Sequence, residues 1–174
     1  MILKGKNVNL RPIKESDFNK YLKWHNDENI RFLAVMHPYT VTERQERLWF
    51  EKAIKNERND KVLFSVDYMK SKELIGYFHL SNINMESRNA SLGIVIGEID
   101  FQGKSLGKEI MQIGIKYGFE YLGLTKIYLD VVIENEKALR LYKKLGFIKE
   151  GKFIKHFFFK GGFHDIVRMA LIKK

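Results

Sequence analysis

The sequence predicts a single mixed domain of the α/β (α+β) class over residues 1–174. Two observations carry that expectation. Strand-like alternation and helical spacing follow one another along the whole chain, and the second half reads strand–loop–helix–strand–helix before a closing hairpin. No Pro/Gly/Ser-rich linker, low-complexity tract or internal repeat interrupts them, and 174 residues is an ordinary length for one domain with its own core.

VNLRPI (8–13) alternates and is ended as a strand by Pro12. Ser16-Asp17 then opens a helix to about His25. Thr42 and Gln45 form a capping box, hydroxyl and amide each satisfying a free N–H, at the start of a second helix running to about Asn59. KVLFSVDY (61–68), ELIGYFHL (73–80) and ASLGIVIG (90–97) read as strands joined by polar turns, hence antiparallel hairpins. The third run is nearly all apolar, as a central strand covered on both faces should be. A helix over 105–121, a strand over 126–133 and a helix over 134–146 follow, the last closed by Gly146 at its C′ position. Strands over 147–159 and 163–172 meet at Lys160-Gly161-Gly162, residues that suit a turn with positive φ.

Composition excludes several chemistries. The chain has no cysteine, so disulfides, thiolate metal sites and cysteine nucleophiles are ruled out. The five histidines form no H-x-x-x-H or H-E-x-x-H pair, so no metal is expected. No window approaches the run of about 18 apolar residues that spans a bilayer, and MILKGKNVNLRP has no apolar run after its first lysine. A cytoplasmic protein without a membrane partner is the expectation. The formal net charge of +10 favours anionic partners. The lysines are scattered singly, however, with no basic stripe and no interleaved aromatics, so the surface reads as solvated and a nucleic-acid partner is not expected.

Residues 97–108, GEIDFQGKSLGK, resemble a phosphate cradle of one of two kinds. A P-loop needs glycine five residues before Gly103-Lys104-Ser105, and that position is Glu98; Gly97 is one residue out of register. The alternative pattern, Q-x-x-G-x-[GA], falls on Gln102-Gly103-Lys104-Ser105-Leu106-Gly107, with serine at the middle glycine. Its chemistry requires backbone N–H groups turned inward and a helix N-terminus directly behind them, which together hold a diphosphate. Further on, ENEKALRLYKKLGF (134–147) matches E-N-x-x-A-x-x-[LI]-Y-x-x-[LI]-G-F nearly letter for letter. Asn135 and Tyr142 lie two helical turns apart and so share a face with Ala138 between them.

These two motifs, with VNLRPIKESDF at the front and EGKFIKHFFFKGGFHDIVRMALI at the end, make the chain similar to the GNAT N-acetyltransferases from about residue 8 onward. It looks most like the branch of ribosomal-protein N-terminal acetyltransferases and spermidine acetyltransferases. The resemblance implies a mostly antiparallel sheet with a splayed parallel strand pair, about four flanking helices, and acetyl-CoA as cosubstrate in the opening. It places the backbone of Val95, Ile96 and Gly97 beside the pantetheine, and Gln102, Gly103, Lys104, Ser105, Leu106, Gly107 and Lys108 around the pyrophosphate. Asn135 and Ala138 would contact the pantetheine arm, and Tyr142 would protonate the leaving thiolate. The implied reaction is direct transfer of acetyl to a primary amine, without a covalent enzyme intermediate.

The base and the acceptor are less determined. His79 is the candidate base, by its titration range; a buried structural histidine and a chain of waters are the alternatives. Trp24, Phe32, Met36, Tyr39, Tyr77 and Phe78 are candidates for lining an acceptor pocket, although Tyr77 and Phe78 are neighbours on a strand and one of them must face core. The acceptor is a small-molecule or peptide amine: a protein N-terminus, an amino sugar or another small amine. A polyamine is the alternative, weakened because Ala34-Val35-Met36-His37-Pro38-Tyr39 carries no acid, though Asp27 and Glu28 lie nearby. A non-enzymatic basic module binding a nucleotide or RNA is the reading from another class, and it leaves Tyr142 without a purpose. The run His156-Phe157-Phe158-Phe159 is either a homo-oligomer (dimer) interface or strand core on alternate residues.

Overall fold

The computed structural model describes residues 1–55 and 60–174. Its eight strands are β1 (Leu3–Lys4), β2 (Val8–Arg11), β3 (Val62–Tyr68), β4 (Glu73–Asn84), β5 (Asn89–Ile96), β6 (Lys126–Val132), β7 (Ile148–Phe159) and β8 (Gly162–Ile172). They form one sheet in the order β1-β2-β3-β4-β5-β6-β8-β7. The α-helices are α1 (Phe18–Asn26), α2 (Glu28–Leu33), α3 (Glu43–Lys55), α4 (Leu106–Lys116) and α5 (Glu136–Lys144).

Five helices flank the sheet where the sequence predicts about four. The additional one is α2, a segment of under two turns in which no periodicity can develop. Its start is nonetheless a proper cap, since the Asp27 carboxylate accepts from the Ile30 amide at 2.8 Å. The Thr42–Gln45 capping box forms as expected: the Gln45 amide donates to Thr42 Oγ1 at 3.3 Å, and the Thr42 amide to Gln45 Oε1 at 2.9 Å. The expected end of that helix near Asn59 lies outside the described residues. The helix expected over 105–121 is α-helical only to Lys116, after which Tyr117–Tyr121 widens to a π turn. Lys160 and Gly161 both adopt positive φ, so the β7–β8 hairpin closes on the two-residue turn its sequence suggests.

Each face of the sheet has a core. On one, α4 and α5 press Leu106, Ile110, Met111 and Tyr142 against Phe78, Leu80, Ile127 and Leu129. On the other, Phe18, Tyr21 and Trp24 of α1 and Phe50 of α3 meet Tyr77 and Val95. Neighbours Phe78 and Tyr77 therefore face opposite ways and are both buried, which the two-residue period of a strand requires.

A buried polar network fastens the first strand to the first helix. The Arg11 guanidinium donates to both oxygens of Asp17, at 2.7 and 2.9 Å, and to both of Asp67, at 2.9 and 2.6 Å. Ser65 Oγ donates to Asp17 at 2.8 Å and lies 3.1 Å from Tyr21 Oη. The network joins β2, β3 and the start of α1, and so fixes how α1 and the residues behind it lie on the sheet.

Sheet topology also opens the site. β5 and β6 are parallel partners only over Asn89–Ser91 and Lys126–Tyr128. Beyond that, β5 continues to Ile96 beside β4 and β6 continues to Val132 beside β8. The sheet is split along half its length, with a gap between the two strands.

Candidate active site

The gap is a cleft of about 430 Å³, walled by Leu92–Ile96 of β5, Leu129–Val131 of β6, Asn29, Ile30 and Leu33 of α2, and Gln102, Asn135 and Tyr142. Gly97 gives its amide to the Ile75 carbonyl of β4 at 2.9 Å. Because backbone groups alternate in direction along a strand, the amides of Ile94 and Ile96 then point away from β4, into the cleft. The Ile96 carbonyl confirms the alternation, since it accepts from Gln102 Nε2 at 2.9 Å. Gln102 thereby pins the following loop to the mouth of the cleft.

That loop carries Gly103 and Ser105 at φ values of 75° and 62°. Serine thus occupies a left-handed position that glycine fills most easily, which is why the pattern has glycine there. The loop keeps its turn, and among the described residues no backbone hydrogen bond engages the amides of Gly103, Lys104 or Ser105. The amides of Leu106 and Gly107, the first of α4, stand directly behind them without an intrahelical acceptor, while that of Lys108 donates to the Ser105 carbonyl at 3.2 Å. A Cβ at Gly103 would meet no atom within 4 Å, and one at Gly107 would make only ordinary contacts at 3.6 Å. The result is a concave run of free N–H groups at the positive end of a helix, with Lys104 and Lys108 exposed beside it, an arrangement that fits a diphosphate. Leu106 offers only its backbone, because its side chain is in the core.

The far wall is set by α5. Asn135 caps this helix, its Oδ1 accepting from the Ala138 amide at 3.2 Å. Its Nδ2 reaches the Leu33 carbonyl at 3.5 Å, the outer limit of a hydrogen bond, and ties α5 to α2. Ala138 packs half-buried against the core. The helix ends in a Schellman turn: Gly146, at φ 92°, donates to the Lys143 carbonyl at 3.0 Å, and Phe147 donates to that of Tyr142, also at 3.0 Å. The Phe147 ring lies 5.9 Å from the Tyr142 ring, so the Gly146-Phe147 pair positions the phenol. Burial pushes the Tyr142 hydroxyl up to about 12, and it keeps its proton at neutral pH.

His79 reaches the same cleft from β4, packed against Gly93, where a Cβ would sit 2.2 Å from the imidazole. Among the described residues its Nδ1 has no hydrogen-bond partner. Burial pushes its pKa down to about 3, with the positive fields of Lys61 and His25 adding to the shift. At neutral pH His79 is therefore uncharged.

A second cavity, of about 290 Å³, shares Met36, Tyr77 and His79 with the cleft. His25, His37, Val41, Glu46, Trp49, Lys61 and Leu63 complete its wall. The six aromatic and apolar candidates for the acceptor pocket divide accordingly. Met36 and Tyr77 line both spaces. Trp24 is fully buried, its ring filling the place of a Cβ at Gly97 and its indole N–H donating to Glu98 at 3.2 Å. The residue is an anchor for the end of β5 rather than a pocket wall, and Gly97 is small for this reason. Tyr39 is 64% exposed and stacks on His37, Phe32 packs against the β7–β8 hairpin, and Phe78 is core. Asp27 is committed to its cap and Glu28 to an ion pair with Lys160. Sequence reasoning missed Asn29, Leu33, His25 and Glu46; the Asp27 cap signal could have revealed the helix that carries the first two.

Among the described residues no group of three or more histidine, aspartate or glutamate side chains is placed to hold a metal ion. No described helix is long and apolar enough to cross a membrane.

A split sheet with an anion loop at its mouth and a buried phenol on its far wall defines an acyl-transfer fold. A family model described as an acetyltransferase (GNAT) domain matches residues 7–148, and the chain belongs to that family. It is similar to the spermidine N(1)-acetyltransferase of Vibrio cholerae, 32% identical over 166 residues that cover 95% of this chain and 93% of the relative. The spermidine N(1)-acetyltransferase of Escherichia coli strain K12 is 31% identical over 166 residues, 95% of this chain and 86% of that protein. Among solved structures, that of spermidine N-acetyltransferase from Vibrio cholerae in complex with CoA and spermine superposes with a TM-score of 0.88 at 31% identity, covering 97% of this chain and 96% of that one.

Proposed function

We propose that the chain transfers the acetyl group of acetyl-CoA directly to a primary amine of a polyamine, acting in the cytoplasm. The observation that carries this reading is the full-length likeness to two spermidine acetyltransferases, in a protein whose split sheet keeps both the anion loop and the phenol. It moves the acceptor from a protein N-terminus or amino sugar, with which the acid-free loop around Pro38 is compatible, toward a polyamine. An edge strand as long as β7, with Ile154 and Phe158 exposed, suits a homo-oligomer interface.

Acetyl-CoA supplies an activated acetyl thioester. In the proposed mechanism the loop amides of Gly103 to Gly107 and the lysines beside them hold the diphosphate, and Asn135 Nδ2 orients the pantetheine arm. The Ile94 and Ile96 amides are donors for the carbonyl oxygen as negative charge develops on it. Tyr142, protonated at neutral pH, stands ready to give its proton to the departing thiolate. His79 stays neutral beside the incoming amine and does not store its proton, which leaves through water.

The test is an acetyl-CoA consumption screen over spermidine, spermine, amino sugars and peptide N-termini. Turnover with the polyamines and none with the others is expected. A peptide or amino sugar as the sole good acceptor would reverse the assignment.

A further inference from the structure

The second cavity contains a carboxylate whose hydrogen bonding is unfinished. Glu46 is 2% exposed. Among the described residues its carboxylate has a single donor, His25 Nδ1, which lies 2.9 Å from each oxygen. A carboxylate offers about four acceptor positions, and one N–H shared between two oxygens leaves most of them without a donor among the described residues, on a side chain that lines the cavity. A buried anion in this condition requires a further donor, and one that carries positive charge satisfies it best.

The walls suit a cation as well. The His25 ring stands edge-on to Trp49 at 4.9 Å and to Tyr77 at 5.8 Å, and Tyr77 stacks on His79 at 6.2 Å. Trp49 already presents a face to an ammonium, the Lys61 Nζ, 5.5 Å from its centre. The titratable and charged groups around Glu46 are His25 from α1, His37 from the loop after α2, Lys61 before β3, and His79 from β4. Met36, Tyr77 and His79 line both this cavity and the cleft where Tyr142 stands, so the two spaces adjoin. An acceptor whose reacting amine lies beside His79 therefore directs its other end along Tyr77 toward Glu46.

We infer that this cavity is the subsite for the acceptor's tail, and that Glu46, held by His25, is the specificity-determining residue that receives a second ammonium. The inference rests on the polyamine reading above and refines it: the preferred substrate is a linear amine with a second cationic nitrogen along its chain, not a monoamine.

The experiment compares a linear alkyl diamine with the amino alcohol of the same chain length, as substrates of the intact enzyme. The wild type is expected to favour the diamine by about tenfold or more in kcat/KM, chiefly through KM, as for a desolvated charge pair. In Glu46→Gln the ratio collapses toward unity. Acetyl-CoA-induced thermal stabilisation of that variant reports whether its cofactor cleft is folded. If it is not, the wild-type ratio alone decides, since it needs no substitution. Equal use of diamine and amino alcohol by the wild type, or an undiminished preference in a folded Glu46→Gln enzyme, overturns the subsite while leaving polyamine acetylation intact. Failure to acetylate any diamine or polyamine overturns both.

Discussion

Tyr142 illustrates how an ordinary side chain acquires a task from its surroundings. Its ring is held by the Gly146-Phe147 turn, and burial keeps its hydroxyl protonated. Replacing it with phenylalanine removes one oxygen and leaves the packing. In Tyr142→Phe, kcat is expected to fall by about a hundredfold, the ordinary share of a general acid. The acetyl-CoA KM should stay near the wild-type value, and steady-state kinetics with both substrates varied checks the pair. An unchanged kcat would remove Tyr142 from the acid role. His79 shows the opposite lesson. Its position on the strand beside the cleft was legible, but its proton affinity was not, because that depends on burial by residues distant in sequence and on the fields of Lys61 and His25 from other elements. Glu46 was invisible for a related reason. A glutamate on an amphipathic helix reads as solvated, and its partner His25 lies 21 residues away.

The elements with long, regular patterns were readable to within a few residues, since apolar alternation and cap residues act locally. The exceptions are short or tertiary. A six-residue α2 has too little length for a pattern, and whether Trp24 or Tyr39 points into a pocket depends on which way α1 is set on the sheet. That setting is fixed by the Arg11–Asp17–Asp67 network, which yields its own prediction. Burial pushes the Asp17 carboxyl up, but hydrogen bonds from Arg11, the Lys14 amide and Ser65 outweigh it, so its pKa lies below the usual 3.8. Since the folded pKa is the lower one, the stabilisation is complete at neutral pH and is lost as the pH falls below the unfolded value toward the folded one. Asp17→Asn should lower neutral-pH stability by about 3 kcal/mol, because it leaves a buried guanidinium short of a partner. It should also flatten the acid limb of Tm against pH; a limb as steep as the wild type's would assign acid sensitivity elsewhere.

Taken whole, the protein is two half-sheets joined over three residue pairs, Asn89–Ser91 with Lys126–Tyr128. One half is β1 to β5 with α1 and α3, the other β6, β8 and β7. A ligand lying in the cleft touches both and adds a bridge that the peptide backbone lacks. Acetyl-CoA at about a hundred times its Kd should therefore stabilise the fold by about 2.7 kcal/mol by mass action. Amide exchange at residues 89–96 and 126–132 should slow more than elsewhere, as mass spectrometry of exchanged peptides can read. Uniform slowing across the sheet would mean that the two halves already behave as one.

The cleft and the cavity beside it are made of different material. The proposed cofactor side is built mainly from peptide N–H groups, and these are present whichever side chain is attached, which is how Ser105 can stand at a glycine position without closing the loop. The proposed acceptor side is built from side chains: His25, Met36, Glu46, Trp49 and Tyr77. Inheritance acts on the two unequally. The first wall can drift in sequence and keep its ligand, while the second can change its ligand within a few substitutions, so the donor is the enduring half of this enzyme and the acceptor the adaptable one.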